Sequence, residues 1–162
     1  MNNNNMFTPD SGASVIFEPD KTAAGPKHTV IMGCESLGAA VSTALAERGH
    51  KIHIVDTRRE SFDRLPVSVI QDGHIVPVLG NGTIAGDLVK ASIQDADVFM
   101  ALSDNDTINA LAGQIAKHIH KVPRVICRID DPSRQEMYND LDMVAISSTN
   151  FVTQTIIDEA VS

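Results

Sequence analysis

His28-Thr29-Val30-Ile31-Met32 runs directly into Gly33-Cys34-Glu35-Ser36-Leu37-Gly38, and the chain turns apolar again at Ile52-His53-Ile54-Val55 before closing on Asp56. The first five residues read as a short buried strand, and the glycine-flanked six as a tight turn. Ala39 to Arg48 reads as a helix that Gly49 ends, and Lys51 to Val55 reads as a second strand. A strand, a glycine turn, a helix and a strand with an acidic tip make the unit that binds adenine nucleotides.

One position departs from the G-x-G-x-x-G pattern: Gly33 and Gly38 are in place, but Glu35 stands where the middle glycine belongs. That glycine lets the backbone approach a pyrophosphate held at the helix N-terminus. Glutamate brings bulk and negative charge to the same spot. Asp56 is less ambiguous, because a carboxylate there accepts hydrogen bonds from both ribose hydroxyls and repels a 2′-phosphate. A ligand would therefore be of the adenosine or NAD type rather than the NADP type. The two glycines alone also suit a tight turn with no ligand.

Around this unit, composition bounds the rest. A chain of 162 residues predicts one domain with a real core. A net charge of −8 and the lack of a basic stripe argue against nucleic acid or an anionic membrane as partner. No apolar run approaches the roughly 18–20 residues that span a bilayer, so no direct membrane insertion is expected. The start, Met1-Asn2-Asn3-Asn4-Asn5-Met6, has no secretory pattern. Cys34 and Cys127 lack metal-ligand spacing and suit a reducing, cytoplasmic setting. Without Trp, and with Tyr138 the single Tyr, there is no aromatic platform for single-stranded nucleic acid.

Residues 1–27 are polar, with Val15-Ile16-Phe17 the one apolar cluster, and read as a flexible N-terminal arm. Residues 28–162 read as the nucleotide-binding domain. A short helix is expected over Thr57–Leu65, then a turn-bearing connector from Val67 to Gly73. Ile75–Leu79 is a third strand, and Pro77 marks it as an edge. A helix from Ala85 to Ala91 precedes the apolar run Asp97–Leu102, which suits a strand covered on both faces. Ser103-Asp104-Asn105-Asp106 caps a long helix from Thr107 to His120. Val122–Ile129, a helix opened by Asp131-Pro132, a strand at Met143–Ile146 and a helix from Asn150 to Ala160 complete the alternation. The class is α/β: a Rossmann-like, doubly wound parallel sheet of about six strands with helices on both faces.

Ligands of such sheets bind outside the carboxyl ends of the strands. Those ends carry Gly33 to Gly38, then Asp56, Thr57 and Arg58, then Asn81, Gly82 and Thr83, then Leu102, Ser103, Asp104 and Asn105, and Arg128. Ser103 and Asn105 taken singly suit helix caps; the coincidence across five strand ends points to one cleft. No catalytic set emerges from the six histidines, His28, His50, His53, His74, His118 and His120. His118 and His120, two apart on a helix, point different ways and predict no metal site.

The ordered blocks Gly33-x-x-x-x-Gly38, Ile54-Val55-Asp56, Gly80-Asn81-Gly82-Thr83, Ala96 through Asp106 with Asn109, and Val122-Pro123-Arg124-Val125-Ile126-Cys127-Arg128 with Asp131-Pro132 carry a resemblance. From about His28 to Ser148 the chain resembles the N-terminal nucleotide-binding domain of the regulators of potassium conductance, the TrkA/KtrA-type subunits. The resemblance implies a Rossmann domain that dimerises, often within a larger ring, and binds NAD, ATP, ADP or AMP to gate a membrane potassium or cation transporter subunit. It implies a site at Gly33, Cys34, Glu35, Ser36, Leu37, Gly38, Asp56, Thr57, Arg58, Asn81, Gly82, Thr83, Leu102, Ser103, Asn105 and Arg128. It also implies a cytoplasmic location, peripheral to the membrane through that transporter. The departures are Glu35 for glycine, Ser36 for a common arginine and Asn81 for aspartate, and no C-terminal ligand-binding domain is expected. AMP is the first choice of adenine nucleotide, with ADP, ATP and NAD as alternatives. The expected function is non-enzymatic regulation; an NAD-dependent oxidoreductase and a degenerate, non-binding oligomeric scaffold are the rivals.

Overall fold

The computed structural model describes Gly25 and residues 27–162, so the arm and its Val15-Ile16-Phe17 cluster lie outside the described residues apart from Gly25 and Lys27. Six strands form one parallel sheet: β1 (His28–Met32), β2 (Lys51–Asp56), β3 (Ile75–Leu79), β4 (Val98–Ala101), β5 (Arg124–Arg128) and β6 (Val144–Ile146). Their order is β3-β2-β1-β4-β5-β6. The winding reverses between β1 and β4, the point where open sheets leave a crevice at the carboxyl edge.

The central strands are apolar along both faces because helices cover both. Val30 and Met32 face one layer with Val55, Phe99, Leu88 and Ala112; Ile31 faces the other with Ile52, Ile54, Ala39 and Leu65. α1 (Ser36–Glu47) packs on the second layer, and α3 (Ala85–Lys90) and α4 (Asp106–Gln114) on the first. β3 lies at the sheet edge, where Pro77 costs no shared ladder on its outer side.

Several elements differ from the expectation. The segment after Asp56 is a 3-10 turn, Arg59–Arg64, rather than a helix through Leu65. The expected connector holds a five-residue helix, α2 (Val67–Gln71), preceded by Pro66 as its extended N-cap. α1 begins at Ser36, inside the expected turn, because Glu35 is extended and already serves as its N-cap. The long helix changes pitch: α4 ends at Gln114 and a wider turn, Ile115–Ile119, closes with His120 N–H donating to Ile115 O at 3.2 Å. α5 (Pro132–Asn139) and α6 (Ser148–Val161) complete the chain. The Ser147 hydroxyl caps α6 by accepting from Asn150 N–H at 2.9 Å. No residue of α6 is buried. Among the described residues no helix is long and apolar enough to cross a membrane.

Candidate functional site

The β1–α1 turn is built by two glycines. Gly33 has φ +96, and a Cβ on it would sit 2.9 Å from Ser103 N, so only glycine lets β1 meet the end of β4 so closely. A Cβ on Gly38 would lie 1.8 Å from Gly33 O, so the first turn of α1 rests directly on the loop. The N–H of Gly33 donates to Val55 O at 2.9 Å, which ties the turn to β2.

Asp56 ends β2 and is 8% exposed. Its Oδ2 accepts from Cys34 N–H at 2.8 Å and its Oδ1 from Arg58 N–H at 2.9 Å. Each oxygen keeps a further acceptor site. The carboxylate opens into a cleft of about 480 Å³ bounded by Gly33, Thr57, Arg58, Gly80–Thr83 and Ser103–Asn105. Asn81 shapes the facing wall: its Oδ1 accepts from the Thr83 N–H at 2.9 Å and the Thr83 hydroxyl at 2.7 Å. A Cβ on Gly82 would lie 2.4 Å from Met32 Cγ and Sδ, so a side chain there would have to displace Met32.

The β4 side is held by Asn109, which is fully buried. Its Oδ1 accepts from Ser103 N–H (3.0 Å) and Oγ–H (2.7 Å), and its Nδ2 donates to Ser103 O (2.8 Å) and Arg128 O (2.9 Å). One amide thus sets the spacing of the β4 and β5 ends. Asn105 caps α4 by accepting from Ile108 N–H at 3.0 Å.

Glu35 divides this region. As N-cap of α1 it makes no side-chain cap bond. Its Oε1 accepts from Arg58 Nη2 at 3.1 Å instead. Its Oε2 is buried with no donor among the described residues, and faces the Asp104 carboxyl. That contact, then burial, raises the Glu35 carboxyl above its ordinary range against the pull of Arg58. Asp104 is lowered by the same contact and by Arg128. Arg128 reaches Asp104 through Nη1 and Asp130 through Nε at 2.8 Å. Asp130 in turn accepts from the Ser148 hydroxyl at 3.0 Å and Thr149 N–H at 3.1 Å at the start of α6. Beyond Glu35 lies a second chamber of about 400 Å³, lined by Ser36, Leu37, Arg58, Arg64, Arg128 and Ser148 with Glu35 and Asp104.

The residues predicted from sequence therefore fall into three groups. Gly33, Glu35, Asp56, Thr57, Arg58, Asn81, Gly82, Thr83, Ser103 and Asn105 line the first cleft. Ser36, Leu37 and Arg128 line the second chamber, not the first. Cys34, Gly38 and Leu102 line neither. Cys34 contributes its backbone N–H, while its thiol is buried, donates to Ser61 O at 3.4 Å and is pushed up to about 11, chiefly by burial. Leu102 is a core residue, and Gly38 is a packing position. Arg64, Ser148 and Ile108 were not anticipated, since nothing in their local sequence marks them. Asp104 stood among the strand-end residues without a role.

A six-stranded parallel sheet in this order, with a glycine turn and a buried aspartate at its switch point, defines a Rossmann-type domain. The TrkA-N domain family matches residues 29–149, and the chain belongs to that family. The Trk system potassium uptake protein TrkA of Streptomyces coelicolor is 33% identical over 130 residues, covering 80% of this chain and 56% of the relative. The chain spans about half the length of the curated relatives it matches. The crystal structure of the TrkA-N domain of inner membrane protein ybaL from Escherichia coli superposes with a TM-score of 0.70 at 13% identity, covering 84% of this chain and 98% of that one. The Shewanella denitrificans Kef CTD in AMP-bound form superposes with a TM-score of 0.62 at 16% identity, covering 83% and 80%. At these identities the two structures speak for the fold alone.

Proposed function

We propose that this domain is the nucleotide sensor of a potassium uptake system, taking an adenosine-containing ligand in the cleft at Asp56. The observation that carries the reading is the Asp56 carboxylate: pinned by two backbone N–H groups, it keeps one acceptor site per oxygen toward the cleft. That arrangement suits the two hydroxyls of a ribose. The cleft volume, about 480 Å³, accommodates a nucleoside monophosphate and falls within the usual range for small-ligand sites. AMP is the preferred ligand, with ADP, ATP and NAD as alternatives.

The role is regulatory rather than enzymatic. Relatives named as potassium uptake proteins support it. The domain reads the ligand as a homodimer or larger ring on the inner face of a membrane, attached through a transporter subunit. Binding favours one arrangement of the subunits, and the transporter responds to that difference. Residues 28–162 form the sensing unit, and residues 1–27 an arm.

Calorimetric titration of the purified chain with AMP, ADP, ATP and NAD tests this directly. Saturable binding of at least one, lost in Asp56→Ala, is expected. Failure of all four to bind would leave the scaffold reading in its place.

A further inference from the structure

Three histidines gather toward the amino ends of β1 and β2, at the edge of the sheet opposite the cleft. His53 is 8% exposed and is the one buried histidine among the described residues. Its Nδ1 lies 2.8 Å from Nε2 of His28, with the two rings edge to face. The register brings them together: His28 pairs with Lys51 and Val30 with His53, so the two imidazoles are diagonal neighbours on one face. His50, just ahead of β2, accepts the Lys27 N–H on its Nδ1 at 3.0 Å. The Lys51 N–H donates to Lys27 O at 3.1 Å, and the Asp97 carboxylate accepts the His28 N–H at 2.9 Å.

Both imidazole contacts need a bare ring nitrogen. Only a neutral His50 accepts the Lys27 N–H, and of His28 and His53 one ring must donate and the other accept. His28 is the less buried ring, so it is the donor and carries a first added proton without breaking the bond. A second would sit on Nδ1 of His53, setting N–H against N–H and two cations in contact, one of them buried. Burial first, then charge on His28 and Lys51, holds His53 below the ordinary imidazole range. The other charged groups on the bordering elements are Glu47 and Arg48 at the end of α1, Lys90 at the end of α3, Asp95 in the 3-10 turn Ile93–Asp95 and His74 ahead of β3.

We propose that His28, His50 and His53 form an acid-released clasp on the chain's entry into β1, closed while His50 and His53 are neutral and open once both are protonated. The protons come from water; one N–H bond forms on each ring and no other covalent bond changes. The Asp97 contact contains no ring nitrogen, so the chain stays attached beside β4 when the clasp opens. The domain thereby gains a response to acid that does not pass through the Asp56 cleft.

The sign follows from His53. A folded-state titration below the unfolded one favours the closed form above about pH 6.5 and costs it stability as pH falls from there. Each proton taken up on opening changes the ratio of closed to open by up to roughly tenfold per pH unit.

Amide hydrogen exchange and ring-nitrogen NMR on the full chain, from about pH 7.5 to about pH 5, test this. Exchange at the Lys27 and Lys51 amides, divided by the intrinsic rates, reports opening of the entry. In the wild type, protection at both should fall with pH, by up to roughly tenfold per unit, and His53 should show a bare Nδ1 at neutral pH. His50→Gln and His53→Gln keep a polar side chain that does not titrate; each should flatten the profile, and the double variant should be level. Level protection in the wild type, an equally steep fall in the double variant, or a protonated Nδ1 on neutral His53 overturns the proposal. Where His53→Gln does not fold, the wild-type ring titration decides. Protection must be lost as His50 and His53 take up their protons, and protection that outlasts protonation of both rings overturns the clasp.

Discussion

Replacing Asp56 by Asn separates its two tasks. In the native domain its carboxylate accepts from Cys34 N–H at 2.8 Å and Arg58 N–H at 2.9 Å, at 8% exposure. An amide presents one oxygen and one NH₂ to those two donors, so one buried N–H loses its partner. An orphaned buried donor costs about 1–3 kcal/mol, which lowers the melting temperature by about 4 °C per kcal/mol for a domain of this size. On the ligand side, one ribose hydroxyl faces the NH₂ group and the other a neutral oxygen. Losing a charged acceptor costs about 1.5–3 kcal/mol, or roughly 10- to 150-fold in Kd. Adenosine and AMP should suffer equally, because the loss lies at the ribose and not at the 5′ end. The assay is calorimetry with both ligands, run at a temperature well below the measured melting point. A lower melting temperature with unchanged affinity for both would refute the reasoning: Asp56 would then be only the staple of the β1–α1 turn.

Three further outcomes are expected. In the wild type, affinity should fall from AMP to ADP to ATP, since like charges about 4 Å apart repel by roughly 1–4 kcal/mol between water and an effective dielectric near 20; Glu35→Gly should flatten the order, and equal affinities before the substitution would count against it. Phe151 and Ile156 of α6 are 62% and 63% exposed, so light scattering should give a dimer mass at least, and Phe151→Asp with Ile156→Asp should give a monomer. Asn109→Ala orphans groups at Ser103 and Arg128 and should lower stability by about 2–5 kcal/mol, read as a fall in the urea midpoint without a change in slope.

The amino-acid order carried the topology. Apolar runs at His28–Met32 and Val98–Ala101 could be satisfied only by strands covered on both faces, and the helices between them had to cross over to keep those strands parallel. Pro77, unable to donate, belonged at an edge, and β3 lies there. Asp56 was legible because its place at the end of an apolar strand follows from the local sequence alone. α2 was not, because five residues after Pro66 are too few to show a helical period. The neighbours of Glu35 were not legible either. Asp104, Arg128 and Ser148 lie far along the chain, and they meet Glu35 only because the sheet sets β4 beside β1, β5 beside β4 and the start of α6 behind β5. Sequence placed a negative charge at the turn; packing gave that charge a second carboxyl to face and two arginines already in use, and electrostatics among such distant residues has no signature in one dimension.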